Sequence, residues 1–177
     1  PCAVTRTTRR EHACAVERRD GSNGSRDSRH SGMRFRIDID IAQPRERVWA
    51  VFTDPSLLHE WQATLKSFAP ISGEPGQLGS VARFVYREGG RDVEMQETII
   101  AREEGRVFAQ RLEADMMSSV MRNAFSSPRS GTTRWTLECD IAFRGIWRLL
   151  GPLLRPLLAR KTRVDMLRFR QLAERGG

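Results

Sequence analysis

The stretch IDIAQPRERVWAVFTDP, residues 39–55, decides the fold. Its first residues close a strict alternation, with Phe35, Ile37, Ile39 and Ile41 on one side and Arg34, Arg36, Asp38 and Asp40 on the other, the pattern of a half-buried strand. Gln43-Pro44 stops that strand, and Pro44 suits the first turn of a helix because it has no N–H to leave unpaired there. Val48, Trp49, Val51 and Phe52 then recur at a spacing that dries one helical side, so a short helix is expected over 44–53. Asp54-Pro55 ends it, and the Asp54 carboxylate can cap a second short helix over 56–60, with Trp61 directly after.

Downstream the chain reads as an antiparallel meander. Candidate strands are 64–72, 79–87, 92–103, 106–115, 117–126 and 132–143, parted by Gly73-Glu74-Pro75-Gly76, Gly89-Gly90, Glu104-Gly105, a tight turn near Asp115, and 126–131. The last is the cleanest, with Trp135, Leu137, Cys139, Ile141 and Phe143 alternating against Arg134, Thr136, Glu138 and Asp140. One long helical pattern follows from Pro156 to Glu174, about 28 Å at 1.5 Å per residue, enough to cross a whole curved sheet. Pro152 and Pro156 interrupt the apolar run before it, so 146–155 reads as a loosely helical lead-in and a candidate gate.

The chain has 177 residues, 39% of them hydrophobic, which is enough for one domain with a real core. Cys2, Cys14 and Cys139 are an odd, scattered set, read as reduced thiols of a cytoplasmic protein. Cys2, His12 and Cys14 lack a fourth ligand at set spacing, so no metal is expected. The net charge of +8 raises the question of nucleic acid, but residues 1–32 hold seven Arg against four acids, and the remainder is only mildly basic. Only Lys66 and Lys161 among the basic residues are lysines, an arginine bias that fits a GC-rich genome, and no nucleic-acid partner is expected. No apolar run is long enough to span a membrane, and residues 1–32 lack the apolar core of a secretory signal. Residues 1–32 have no aromatic residue and read as a disordered basic tail, ahead of a ligand-binding domain over 33–177. Met33 opens the first periodic segment and is a candidate native start, which would put the tail outside the native protein.

The order strand, two short helices, six strands, long helix, together with the 39–55 stretch, Trp61 and the Leu-rich entry to the last helix, resembles the SRPBCC superfamily over 33–174. These START-like proteins include polyketide cyclases and dehydrases, lipid-transfer domains and pollen allergens. The resemblance implies an α+β helix-grip fold, in which a curved seven-stranded antiparallel sheet wraps around the C-terminal helix. It implies binding of a lipid, polyketide or aromatic compound in a cavity between sheet and helix, with a cyclase or dehydrase acting in the same cavity as the alternative.

Strand and helix parity name Trp61, Phe84, Met95, Phe108, Met121, Trp135, Leu153 and Leu157 as inward candidates, though the same periodicity is explained by plain core. Met116, Met117 and Met121 on one hairpin suit an adaptable lining or irregular filler. Tyr86 and Glu97 share parity with inward apolar neighbours and join the binding candidates, and Arg111, Asn123 and His59 are further polar ones. Glu97 reads either as a carboxyl of raised pKa or as half of a buried ion pair with Arg111, the plainer reading. No nucleophile elbow, phosphate loop or zinc-helix motif occurs, so no catalytic residue is identified and no cofactor is expected. The Trp147–Leu158 run, flanked by Arg148, Arg155, Arg160 and Lys161, has the make-up of an interfacial segment. Burial against the sheet accounts for it more simply.

Overall fold

Alternation makes Met33–Ile41 the first strand, β1, with Met33, Phe35, Ile37, Ile39 and Ile41 buried, in a computed structural model of the chain that describes residues 32–175. The expected tail, with Cys2, His12 and Cys14, lies outside the described residues but for Gly32. On the outer face of β1, Arg34 meets Asp140 at 2.6 Å and Arg134 meets Asp40 at 2.8 Å. Such exposed pairs set register more than they stabilise.

Helix α1 (Arg45–Phe52) follows, burying Val48, Trp49 and Phe52. Asp54 then accepts from the Ser56 hydroxyl at 2.7 Å and, as capping requires, from the Ser56 N–H at 2.9 Å, and these bonds, the hydroxyl's first, hold its carboxyl below the usual range. The second short helix is split into a 3-10 turn, Pro55–Leu57, and α2, Leu58–Trp61, so Trp61 ends the helix instead of following it.

Strands β2 (Leu65–Ser72), β3 (Val81–Glu88), β4 (Arg91–Glu103), β5 (Val107–Ala114), β6 (Met117–Arg129) and β7 (Thr132–Phe143) complete one antiparallel sheet. Its order is β1-β7-β6-β5-β4-β3-β2, so the chain meanders backward until β7 meets β1. Gly89 and Gly90, both at positive φ (55° and 82°), make the tight β3–β4 turn, where a side chain would strain the backbone. Strand β6 runs three residues beyond its expected end, through an irregularity between Ser126 and Arg129.

Helix α4 (Arg155–Glu174) crosses the sheet with Met166, Phe169 and Ala173 buried. The core centres on Phe52, whose ring lies 5.1 Å from Phe125, 5.4 Å from Phe108 and Trp135, and 5.9 Å from Phe169. This is the helix-grip architecture that the resemblance implies. The lead-in forms α3 (Trp147–Leu150) and a 3-10 turn (Gly151–Leu154).

Two inward candidates are corrected here: Leu153 is 75% exposed and Leu157 63%. The buried side of α4 is phased through Leu158, Met166, Phe169 and Ala173, and a residue one position earlier points about 100° away.

Candidate functional site

Inward positions of β3 to β7 outnumber the side chains that one crossing helix can fill. A cavity of about 160 Å³ remains between sheet and α4. The sheet contributes Tyr86, Met95, Gln110, Leu112, Met117, Met121, Leu137 and Cys139; α4 contributes Leu158, Lys161, Thr162, Asp165 and Met166; Phe52, Trp61 and Trp135 close the aromatic end. A second void of about 60 Å³ shares Phe52, Trp61, Gln62 and Gln110 with the first and adds Phe84, Glu97 and Phe108. Four methionines, 95, 117, 121 and 166, face the larger cavity, and their unbranched thioethers repack at low cost.

The polar groups fall into three sets. Deep in the sheet, the Trp135 indole N–H donates to Asn123 Oδ1 at 3.0 Å, and Asn123 Nδ2 donates to the Phe108 carbonyl at 3.2 Å. Toward α4, Tyr86 Oη donates to Gln62 Oε1 at 2.7 Å, and Lys161 bonds Glu88 with its ammonium 5.4 Å from the Tyr86 ring centre. Burial pushes the Tyr86 phenol up and the Lys161 ammonium down, while Asp165, which accepts from the Ala63 N–H at 3.2 Å, is raised by burial. The third set has no such partners: Trp61 Nε1 and Gln110 Oε1 are buried without a hydrogen bond among the described residues. Burial lifts the Glu97 carboxyl to about 7.

Of the binding candidates, Trp61, Tyr86, Met95, Met121 and Trp135 thus surround the larger cavity and Phe84, Glu97 and Phe108 the smaller, while Leu153 and Leu157 lie on the surface. The Glu97–Arg111 ion pair is also corrected. Glu97 stands opposite Leu112, and Arg111 opposite Thr98 on the exposed face. His59 is exposed on α2, and Asn123 is buried and hydrogen-bonded at both ends of its amide inside. The Cys139 thiol faces the cavity and is pushed up to about 12 by burial, so it is no nucleophile near neutral pH. Among the described residues no three of His, Cys, Asp and Glu cluster as metal ligands.

Met117, named with Met116 and Met121 as an adaptable lining or filler, does line the cavity, whereas sequence reasoning missed Gln62, Gln110 and Met166. Gln110 shares strand parity with Phe108, so the same alternation that found Phe108 and Met121 would have found it. Met166 follows Leu158 by two helical turns, but the prolines hide where the phase begins.

Residues 33–174 match the family described as polyketide cyclase / dehydrase and lipid transport. Among solved structures, the Zhui aromatase/cyclase from Streptomyces sp. R1128 superposes with a TM-score of 0.70 at 17% identity, over 81% of this chain and 94% of that one. A START superfamily protein from Mycobacterium smegmatis gives 0.68 at 13% identity, over 80% and 97%. Truncated norcoclaurine synthase from Thalictrum flavum gives 0.66 at 10%, over 82% and 96%. At these identities the likeness is one of fold. None of the curated proteins matches.

Proposed function

Since the chain belongs to the polyketide cyclase / dehydrase and lipid transport family, we propose that it binds a hydrophobic small molecule, a lipid, polyketide or aromatic compound, between sheet and α4. The observation that carries the reading is the methionine-lined cavity beside a tightly packed aromatic core. Natural cores leave few voids larger than a water. A void of about 160 Å³ is near the size that takes up one benzene-sized ring in an apolar interior. A larger ligand enters by repacking Met95, Met117 and Met121. Anilinonaphthalene sulfonate titrated into the folded chain is expected to brighten with saturable, one-to-one stoichiometry. Met121→Trp should abolish that uptake while the circular-dichroism melt persists, and absence of saturable uptake by the native chain counts against the reading.

A second reading, a cyclase or dehydrase-like enzyme using the larger cavity together with the smaller void beside it, is favoured by Glu97. A carboxyl near 7 in an apolar pocket accepts or returns a proton at neutral pH with little driving-force penalty. The unpaired Trp61 N–H would donate to a substrate oxygen. Turnover of an aromatic polyketide mimic that Glu97→Gln abolishes, with dye uptake retained, supports the enzyme; no turnover with a dye-competent chain leaves the binder.

A further inference from the structure

Ile146, Leu149, Leu150, Leu153 and Leu157 are 68, 80, 45, 75 and 63% exposed. They recur at the i, i+3, i+4, i+7, i+11 spacing of one helical side, across α3, the 3-10 turn and the first turn of α4. The opposite side is anchored. Trp147 and Leu158 pack against the core, and Gly151 is buried so closely on the Phe143 ring that a Cβ there would collide with it. The segment is therefore held in place with its apolar stripe turned outward, which overturns burial as the explanation of this run. A row of five aliphatic side chains in water is a standing cost unless something covers it.

Charge chooses the cover. Between Asp140 and Asp165 the chain carries Arg144, Arg148, Arg155, Arg160, Lys161 and Arg163 and no acidic residue. Arg148, Arg155, Arg160 and Arg163 are exposed and have no salt-bridge partner among the described residues. A second copy on a two-fold axis would set these cations against their own kind. The first 32 residues, with seven Arg and four acids, are cationic as well. An anionic bilayer satisfies both features, with aliphatic side chains in the acyl boundary and guanidinium groups among the headgroup phosphates.

We propose that the Ile146–Leu157 stripe and its arginines dock this chain on an anionic lipid surface. Docking there sets the first turns of α4, whose inner side lines the cavity with Leu158, Lys161 and Thr162, beside the bilayer, which shortens the path of a ligand between the two. The surface assignment goes beyond the cavity reading and stands without it.

The test is flotation of the full chain at low salt with vesicles of phosphatidylcholine alone, or of phosphatidylcholine and phosphatidylglycerol at roughly three to one. The chain is expected to float with the anionic vesicles only and to leave them as salt rises. Leu149→Glu with Leu153→Glu, both at exposed positions, should abolish flotation without moving the thermal melt. Arg148→Gln or Arg155→Gln should each weaken it roughly fivefold. No flotation of the native chain at low salt overturns the proposal. So does flotation that the paired Leu→Glu changes leave intact, since charge elsewhere would then carry it. A concentration-dependent dimer in sedimentation, dissolved by the same pair, would assign the stripe to a second copy instead.

Discussion

The Trp135 indole and the Asn123 side chain form a closed relay inside the sheet: Trp135 donates to Asn123 Oδ1 at 3.0 Å, and Asn123 passes its own N–H to the Phe108 carbonyl at 3.2 Å. Asn123 is 1% exposed and Trp135 also 1%, so neither polar end has water to fall back on. Asn123→Leu keeps the volume and strands the Trp135 N–H. A buried donor left unpaired costs about 1–3 kcal/mol, so urea unfolding should show a loss of about 2 kcal/mol. A change under about half of that would mean that the relay contributes shape alone.

Leu157 and Met166 make a paired test of the phase of α4. Leu157→Ala should change stability by no more than about 0.5 kcal/mol, as at other exposed sites, whereas Met166→Ala, at a 1% exposed position, should cost about 2–5 kcal/mol. Chemical denaturation of the two variants measures both. Equal costs would mean that the helix is rotated about its axis relative to the structure.

That contrast also shows where the sequence was readable. In a strand the side-chain period is two whatever the neighbours do, so Phe84, Tyr86, Met95, Glu97, Met121 and Trp135 could be assigned to the inner face from parity alone, and the structure puts each on a cavity wall. A helical phase must be counted from a start. With Gly151 and Pro152 before α4 and Pro156 in its first turn, the start of the count is ambiguous by one residue, enough to exchange Leu157 for Leu158. Cross-strand partners were out of reach for another reason. Whether Glu97 faces Arg111 or Leu112 depends on register, and a one-residue shift moves the partner to the other face.

Glu97 makes a pH prediction. Its carboxyl is lifted by burial from 4.5 to about 7 in the folded chain, so between those values the folded state holds a proton that the unfolded state has released. Stability from this group is then full below about pH 4.5, falls as pH rises toward 7, and is level above. Glu97→Gln removes the fall. The variant should match the native chain near pH 5 and exceed it at pH 8 by up to about 3 kcal/mol, an upper figure because the residue as a whole is only half-buried. Denaturant melts at both pH values measure the difference; a variant that is weaker at pH 8 would mean that the carboxylate is paired and stabilising.

The segment between β7 and α4 carries the last prediction. Four residues of α3 and four of a 3-10 turn hold it, with Arg148 N–H reaching the Gly145 carbonyl at 3.2 Å and Leu149 N–H the Ile146 carbonyl at 3.1 Å. Such short i to i+3 turns have poorer geometry than the α-helical bonds of α4 and open at lower cost. A ligand held under α4 needs a way in, and this segment leads into α4 at Arg155, three residues before Leu158, which lines the cavity. The loops 72–79 and 88–91 are the alternatives; their glycines allow motion, but they contribute no side chain to the larger cavity. Hydrogen exchange is therefore expected to run much faster in 146–155 than in 158–172, and saturation with anilinonaphthalene sulfonate should slow the former selectively. Gly151→Ala, which forces a methyl group into the Phe143 ring, should raise exchange in 146–155 while leaving that of 166–173 unchanged. Equal protection of both segments in the free chain would refute the gate, and dye saturation without any slowing of 146–155 would put the entrance at another edge of the sheet.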